Sequence, residues 1–199
     1  ATRIAGAVEQ AFAARRPARM AMGSTILYDM TRNRSMEAFA ANTDVDSDAT
    51  PREAVNPEMF MMRIDLLDDD GRFKPAGAFT SFSIHPTVVP YANEFYTADV
   101  FGHIARELEY VQDKNNTPWP FVHAAVNGTH GDNSPAYASG CQGYPEARRL
   151  GQAIGQKAAN LFDALADDLT DDVTIMAACR EVDLYQHPSI DDTTICSRP

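Results

Sequence analysis

Two runs of alternating residues, EMFMMRIDLLDD (58–69) and GAFTSFSIHP (77–86), lie on either side of an Asp70-Gly71 pair. In the first, Phe60, Met62, Ile64 and Leu66 alternate with Met61, Arg63 and Asp65; in the second, Ala78, Thr80, Phe82 and Ile84 alternate with Phe79, Ser81, Ser83 and His85. Successive side chains on a strand point to opposite faces, and Asp-Gly between two such runs signals a β-hairpin. A two-faced antiparallel pair must be covered by other elements, so the hairpin already requires a layered domain. His85 ends the second strand on the face opposite Ile84.

The remaining segments supply the layers. The opening ATRIAGAVEQAFAARR carries Ile4, Val8 and Phe12 at helical spacing, and Met20–Tyr28 reads as a strand running into a polar turn at Thr31–Ser35. Residues 41–57, with Thr50-Pro51 and Asn56-Pro57, read as a long surface loop or lid. TADVFGHIARELEYVQ (97–112) is a helix with Val100, Ile104 and Leu108 on one stripe and Thr97 available as a cap. WPFVHAAVNG (119–128) reads as a buried strand, residues 146–169 as the longest helix with Leu150, Ile154, Ala158, Leu161 and Leu165 inward, and DDVTIMAACREVDL (171–184) as a final strand. Hairpin-paired and helix-connected strands together predict an α/β domain, with α+β left open: a layered mixed β-sheet with flanking helices, residues 1–199 forming part of a larger catalytic domain with no internal boundary.

Composition excludes several classes. With 199 residues, 44% hydrophobic and 23% charged, the chain is globular in character. A formal net charge of -11 argues against a nucleic-acid partner, since phosphate binding needs a basic surface. No apolar run has the length of a transmembrane helix, and no signal-peptide core is present. The helical pattern at Ala1 has no start signal and TTICSRP has no stop, which leads us to expect a piece of a longer protein. Cys141, Cys179 and Cys196 lack C-x-x-C spacing and leave the redox compartment open.

Chemistry concentrates around GTHGDNSPAY, Gly128–Tyr137, where a glycine-rich run follows a strand. Ser134 there reads either as a reactive or ligand-binding hydroxyl or as part of an ordinary turn. His85 stands at a strand end, where sheets present ligands, and His130 lies four residues before Ser134 as a candidate general base. His103 on a helix and His187 in a tail loop carry no chemical signal, and His123 reads as a core histidine. Arg34 in TRNRS could hold a carboxylate or carbonyl oxygen in a forked geometry. The acidic runs Asp68–Asp70 and Asp167–Asp172 lack calcium-loop spacing and read as solvated turn and helix-end charges.

Three segments together resemble the neutral/alkaline (non-lysosomal) ceramidases, zinc amidohydrolases that cleave the N-acyl bond of ceramide. NRSMEAF, from Asn33, is similar to that family's NRSPxAY; FSIHPTVVPYANEFYTADVFG, from Phe82 to Gly102, keeps its H-x-T, Asn and D-x-x-G at His85, Thr87, Asn93, Asp99 and Gly102; GDNSP, Gly131–Pro135, looks like GDxSPN. The resemblance implies that His85 is a zinc ligand, Ser134 the essential active-site serine, Arg34 the cation reaching the substrate or developing oxyanion, and Asp132 an orienting group for the serine turn. It also implies a lipid amide substrate met at a membrane or micelle surface, and a secreted or periplasmic location. Ala136 stands where the family has Asn after SP, and Thr129 where it has Asn two places before GD, so the hydrogen bonds around the turn should differ. The family's upstream HTHSGP and its downstream Glu and Tyr ligands would fall outside these residues, so that other segments of the same protein would complete the site.

Two readings of other classes stand beside this one: a non-catalytic scaffold or binding module, suggested by Thr129 and Ala136, and a metal-free serine hydrolase using Ser134 with His130 or His85. The latter lacks a G-x-S-x-G elbow, and Pro135 has no N–H to offer an oxyanion hole.

Overall fold

The computed structural model describes residues 2–115, 117–137 and 140–179. Along the chain run α1 (Thr2–Ala13), β1 (Ala18–Ile26), β2 (Thr31–Asn33), α2 (Met36–Ala40), β3 (Glu58–Leu67), β4 (Phe73–Phe82), α3 (Asp99–Gln112), β5 (Val122–Asn127), β6 (Asn133–Pro135) and α4 (Tyr144–Ala164). Short 3-10 turns follow α3 and α4, at Asp113–Asn115 and Leu165–Asp168.

The expected hairpin is β3 and β4. Its turn is organised by Asp68, whose Oδ1 accepts the N–H groups of Asp70 (3.0 Å) and Arg72 (2.8 Å). β4 begins at Phe73, earlier than the alternation at 77–86 indicates, because a register shift between Ile64 and Asp65 accommodates Pro75 opposite Asp65. Proline, lacking a ladder N–H, is tolerated at such an irregularity. β1 adds antiparallel to β3, and β5 adds parallel to β4 after the α3 crossover, giving a four-stranded mixed sheet in the order β1-β3-β4-β5. This is the layered mixed sheet with flanking helices that the sequence predicts.

α3 and α4 bury one face of that sheet. Met59, Met61, Ala78 and Phe82 join Val100, Ile104 and Leu108 of α3 and Leu150, Ile154, Ala158 and Phe162 of α4 in a single core. The two helices approach closely because α4 carries glycines where they meet: a Cβ on Gly151 would lie 2.3 Å from that of His103, and one on Gly155 would lie 2.5 Å from that of Glu107. The same sheet face buries a charge pair, Arg63 and Asp65. Arg63 Nε and Nη2 donate to the two Asp65 oxygens at 2.9 and 3.0 Å, Nη1 donates to the Phe162 carbonyl at 2.8 Å, and the guanidinium lies over the Phe162 ring. The opposite face exposes Met22, Phe60 and Phe79.

Several elements differ from the sequence reading. The segment Thr31–Ser35, expected as a turn, contains β2, and Asn133–Pro135, inside the expected turn, is β6; the two pair with each other. β5, expected to be buried, is an edge strand with Val122 and Val126 exposed and His123 facing inward. Burial displaces the His123 imidazole from its ordinary range down to about 4, so it is neutral at pH 7, with Nε2 2.8 Å from Thr80 Oγ1. The stripe of α1 packs on nothing among the described residues, Ile4, Val8 and Phe12 all being exposed. Thr97 accepts the Asp99 N–H at 3.0 Å, but the residue flanking α3 is Ala98. Residues 171–179 form no strand, the chain just before them joining the sheet through a bridge between Met20 and Thr170; the rest of the expected final strand, His187 and Cys196 lie outside the described residues. Cys141 and Cys179 are exposed and form no disulfide among the described residues.

The Arg63 and Asp65 pair gives a test of this packing. Asp65→Ala leaves a buried guanidinium without its counter-ion, and such a loss costs about 3–5 kcal/mol. Denaturant unfolding of Asp65→Ala should show that loss, whereas a change below about 1 kcal/mol would mean that water reaches Arg63.

Candidate functional site

β4 and β5 are parallel neighbours, so the chain leaves both strands on the same side of the sheet, where open α/β sheets present their ligands. Gly128 N–H donates to the Phe82 carbonyl at 3.0 Å, and the segments after Phe82 and Asn127 then run side by side. Ile84 N–H reaches Asn127 Oδ1 at 3.3 Å, and Ser83 Oγ meets Thr129 Oγ1 at 3.2 Å. The first of these segments delivers His85 and the second delivers His130 and Ser134.

The segment after His85 is held by Asp99. Its carboxylate accepts the N–H groups of Val88 (3.3 Å), Val89 (2.7 Å) and Val100 (2.6 Å), while its own backbone takes φ +48°. A left-handed conformation is tolerated by Asp better than by most side chains. It places a buried acceptor against three backbone donors at the start of α3, where negative charge is favoured.

β2 and β6 then bring the remaining motif residues together. Asn33 pairs with Asn133, Arg32 with Ser134 and Thr31 with Pro135; beyond the ladder, Arg34 N–H donates to the Asp132 carbonyl at 2.9 Å and Ala136 N–H to that of Met30 at 3.0 Å. Asn33 clamps the pair. Its Nδ2 donates to Ala54 O (2.7 Å) and Asp132 Oδ2 (2.9 Å), and its Oδ1 accepts the Ser35 N–H (2.7 Å). The 41–57 segment is therefore tied to the site, as Pro51 O also accepts the Asn33 N–H.

All four residues singled out in the sequence meet here. Ser134 is buried on β6, its hydroxyl making no hydrogen bond among the described residues. Arg34 Nη2 donates to Gly131 O at 3.1 Å, which ties the guanidinium to the turn before Ser134. Asp132 holds Asn33 as described. His85 donates its backbone N–H to Asn133 O at 2.9 Å, and its Nδ1 lies 3.2 Å from the same oxygen. His130 also reaches the site: its Nδ1 is 2.9 Å from Gly128 O, and its ring packs edge-on against His85.

The sequence reading gave no role to three further residues. Arg32 is opposite Ser134 in register, on the same face of the ribbon, with its guanidinium 5.4 Å from the Tyr137 ring centroid. Asn33 is the clamp. Asn133 is buried, with Nδ2 on Thr129 O at 3.0 Å and Oδ1 without a protein partner. Asn33 and Asn133 belong to the quoted motifs, but no local pattern marks the roles of the three, which follow from a pairing between distant segments. The departures at Thr129 and Ala136 are absorbed here, Thr129 meeting Ser83 and Ala136 lying buried beside Met30.

Two properties of the site bear on chemistry. A carbonyl oxygen only accepts, so the proton of His85 sits on Nδ1 and the lone pair is left on Nε2; metal-binding histidines are oriented in this way. His85 therefore suits a divalent metal, although no three His, Cys, Asp or Glu side chains gather into a metal cluster among the described residues. Second, neither His85 nor His130 hydrogen-bonds to Ser134, so no general base is poised against it among the described residues.

Comparison with known proteins agrees with this geometry. The family described as neutral/alkaline non-lysosomal ceramidase, N-terminal, matches residues 2–179. The crystal structure of a neutral ceramidase from Pseudomonas aeruginosa superposes with a TM-score of 0.60 and 24% identity, over 82% of this chain and 25% of that one. A ceramidase complexed with C2 gives a TM-score of 0.58 and 24% identity, over 80% and 24% of the two chains. The chain thus spans about a quarter of the length of each of these structures, and at this identity the likeness establishes the fold. No curated protein matches it.

Asn33→Ala should reveal how far the clamp holds the ribbon together. Three hydrogen bonds at roughly 1 kcal/mol each predict a loss of about 2–3 kcal/mol in denaturant unfolding. A loss below about 0.5 kcal/mol would show that β2 and β6 stay paired without it.

Proposed function

The chain belongs to the neutral/alkaline non-lysosomal ceramidase family, and on that footing we propose that it carries part of the active site of a zinc-dependent amide hydrolase acting on ceramide (N-acylsphingosine) or a related lipid amide. The observation that supports this reading best is the meeting of three separated motif segments: β2 with Arg34, the strand end with His85, and β6 with Ser134, all joined through the backbone of 131–133. Turn residues inherited without a shared task have no reason to converge on one another.

In this proposal His85 Nε2 is one zinc donor, and further segments of the same protein complete the set. Bound zinc would polarise the amide carbonyl and lower the pKa of a water from about 15.7 to about 7. The chain's own residues do the rest. The Arg34 guanidinium stabilises the oxyanion that develops as the carbonyl becomes tetrahedral. Ser134 donates its unencumbered hydroxyl to the same centre, and burial strengthens that hydrogen bond by excluding competing water. Asp132 acts at one remove: its carboxylate on Asn33 Nδ2 fixes the turn that carries Ser134 against the strand that leads to Arg34. The substrate is presented by a membrane or micelle surface, with the enzyme secreted or periplasmic, a placement that draws on the family resemblance alone.

A metal-free serine hydrolase is disfavoured, because among the described residues no histidine hydrogen-bonds to Ser134, and Ser134 is followed by Pro135. In assays of ceramide hydrolysis, Ser134→Ala and His85→Ala should each lower the rate by at least about tenfold, equivalent to roughly 1.4 kcal/mol of transition-state stabilisation. A wild-type rate in either variant removes that residue from the mechanism, and folded protein with no hydrolase activity on any lipid amide would make the domain a binding module.

A further inference from the structure

The segment between His85 and α3 has a surface unlike that of its surroundings. Tyr91, Phe95 and Tyr96 are 103%, 78% and 109% exposed, so three aromatic rings on one loop stand clear of the body of the protein. Exposed apolar side chains scattered singly need no explanation, whereas a cluster of them marks a surface that meets an apolar partner. From Pro86 to Ala98 the sole charged side chain is Glu94, in a chain whose formal net charge is -11.

The loop is also well anchored. At its base the Asp99 carboxylate accepts the N–H groups of Val88 and Val89, and Val88 O accepts the Gly143 N–H at 2.9 Å. At its tip Asn93 N–H donates to Pro90 O at 3.0 Å, Asn93 Nδ2 donates to Phe95 O, and the Tyr144 hydroxyl donates to Asn93 Oδ1 at 2.8 Å. The rings are therefore presented by a loop that is already folded, and a partner that takes them up does not have to order it.

The chemistry of the loop selects that partner. A tyrosine has an apolar ring and a polar tip, and such side chains settle at the boundary between lipid headgroups and acyl chains. Phe95 adds an apolar ring without a polar tip. Attraction to an anionic lipid surface needs Lys or Arg, and this loop has neither, so a zwitterionic surface is the one that suits it. The loop also begins immediately after His85, so a membrane that holds it lies at the edge of the candidate site.

We infer that residues 90–96 dock this chain on a zwitterionic lipid surface, with Tyr91, Phe95 and Tyr96 seated among the headgroups. This names the surface at which the proposed hydrolase meets its substrate, and it rests on the lipid-amide reading of the site. Docking through uncharged rings makes the attachment insensitive to salt, in contrast to attachment through charge.

The test is sedimentation of the full-length protein with phosphatidylcholine vesicles, comparing the wild type with the triple variant Tyr91→Ser, Phe95→Ser and Tyr96→Ser. Exposed positions of this kind tolerate substitution, and an unchanged melting temperature checks that the variant is folded. The wild type should bind equally at low and high salt, and the variant should bind at least about tenfold more weakly. Hydrolysis of ceramide in those vesicles should fall with binding, while hydrolysis of a water-soluble short-chain ceramide is unchanged. A wild type that ignores the vesicles overturns the inference and means that the rings meet another protein segment. Binding that survives in the variant also overturns it, and passes the role to the exposed stripe of α1 or the open sheet face. Either result leaves the hydrolase reading standing, whereas a full-length protein inactive on every lipid amide defeats that reading and removes the loop's part in meeting substrate, whatever the vesicles show.

Discussion

The pairing of Thr31–Asn33 with Asn133–Pro135 is the contact on which the site depends. It joins positions separated by about a hundred residues, Asn33 and Asp132 being 99 apart. Closing a flexible loop of that length costs about 4 kcal/mol from the logarithmic length dependence alone. A three-residue ladder with net hydrogen bonds near 1 kcal/mol each cannot meet that cost unaided. It exists because β4 and β5 have already brought the chain ends at Phe82 and Asn127 together, so that the ribbon closes over a short remaining distance. The large sheet supplies proximity, the ribbon supplies register, and Asn33 and Asp99 fix the two loops that carry the candidate residues.

The core beneath is built to hold that arrangement rigidly. Gly151 and Gly155 let α4 lie against α3 at a distance no larger side chain permits, and the buried Arg63 and Asp65 tie β3 to the Phe162 carbonyl of α4. An internal ion pair contributes less net stability than apolar packing of the same volume, but it fixes the register of the strand against the helix because only one alignment satisfies both charges. The helices cover one sheet face, and the other presents Met22, Phe60 and Phe79 to solvent.

Much of this was legible in the sequence wherever a pattern is local. Alternation and Asp-Gly marked β3 and β4, and helical spacing marked α3 and α4 together with their buried stripe. Alternation could not say which face the helices would cover, and the more polar set of β3, with Arg63 and Asp65, proved to be the buried one. β2 and β6 look like turns in the sequence because three residues carry no periodicity and their partners are distant. The same distance hid Arg32 beside Ser134 and the role of Asn33 as a clamp. His85, Arg34, Asp132 and Ser134 were visible as members of motifs, and the structure adds that they are neighbours.

The central claim is that this gathering of residues serves a metal. Elemental analysis of the purified protein at its natural length, compared with its His85→Ala variant, tests it most directly. The account predicts zinc near one per molecule in the wild type and its loss from the folded variant. A folded, natural-length protein that hydrolyses ceramide without bound metal, or one that keeps its zinc when His85 is removed, would contradict it.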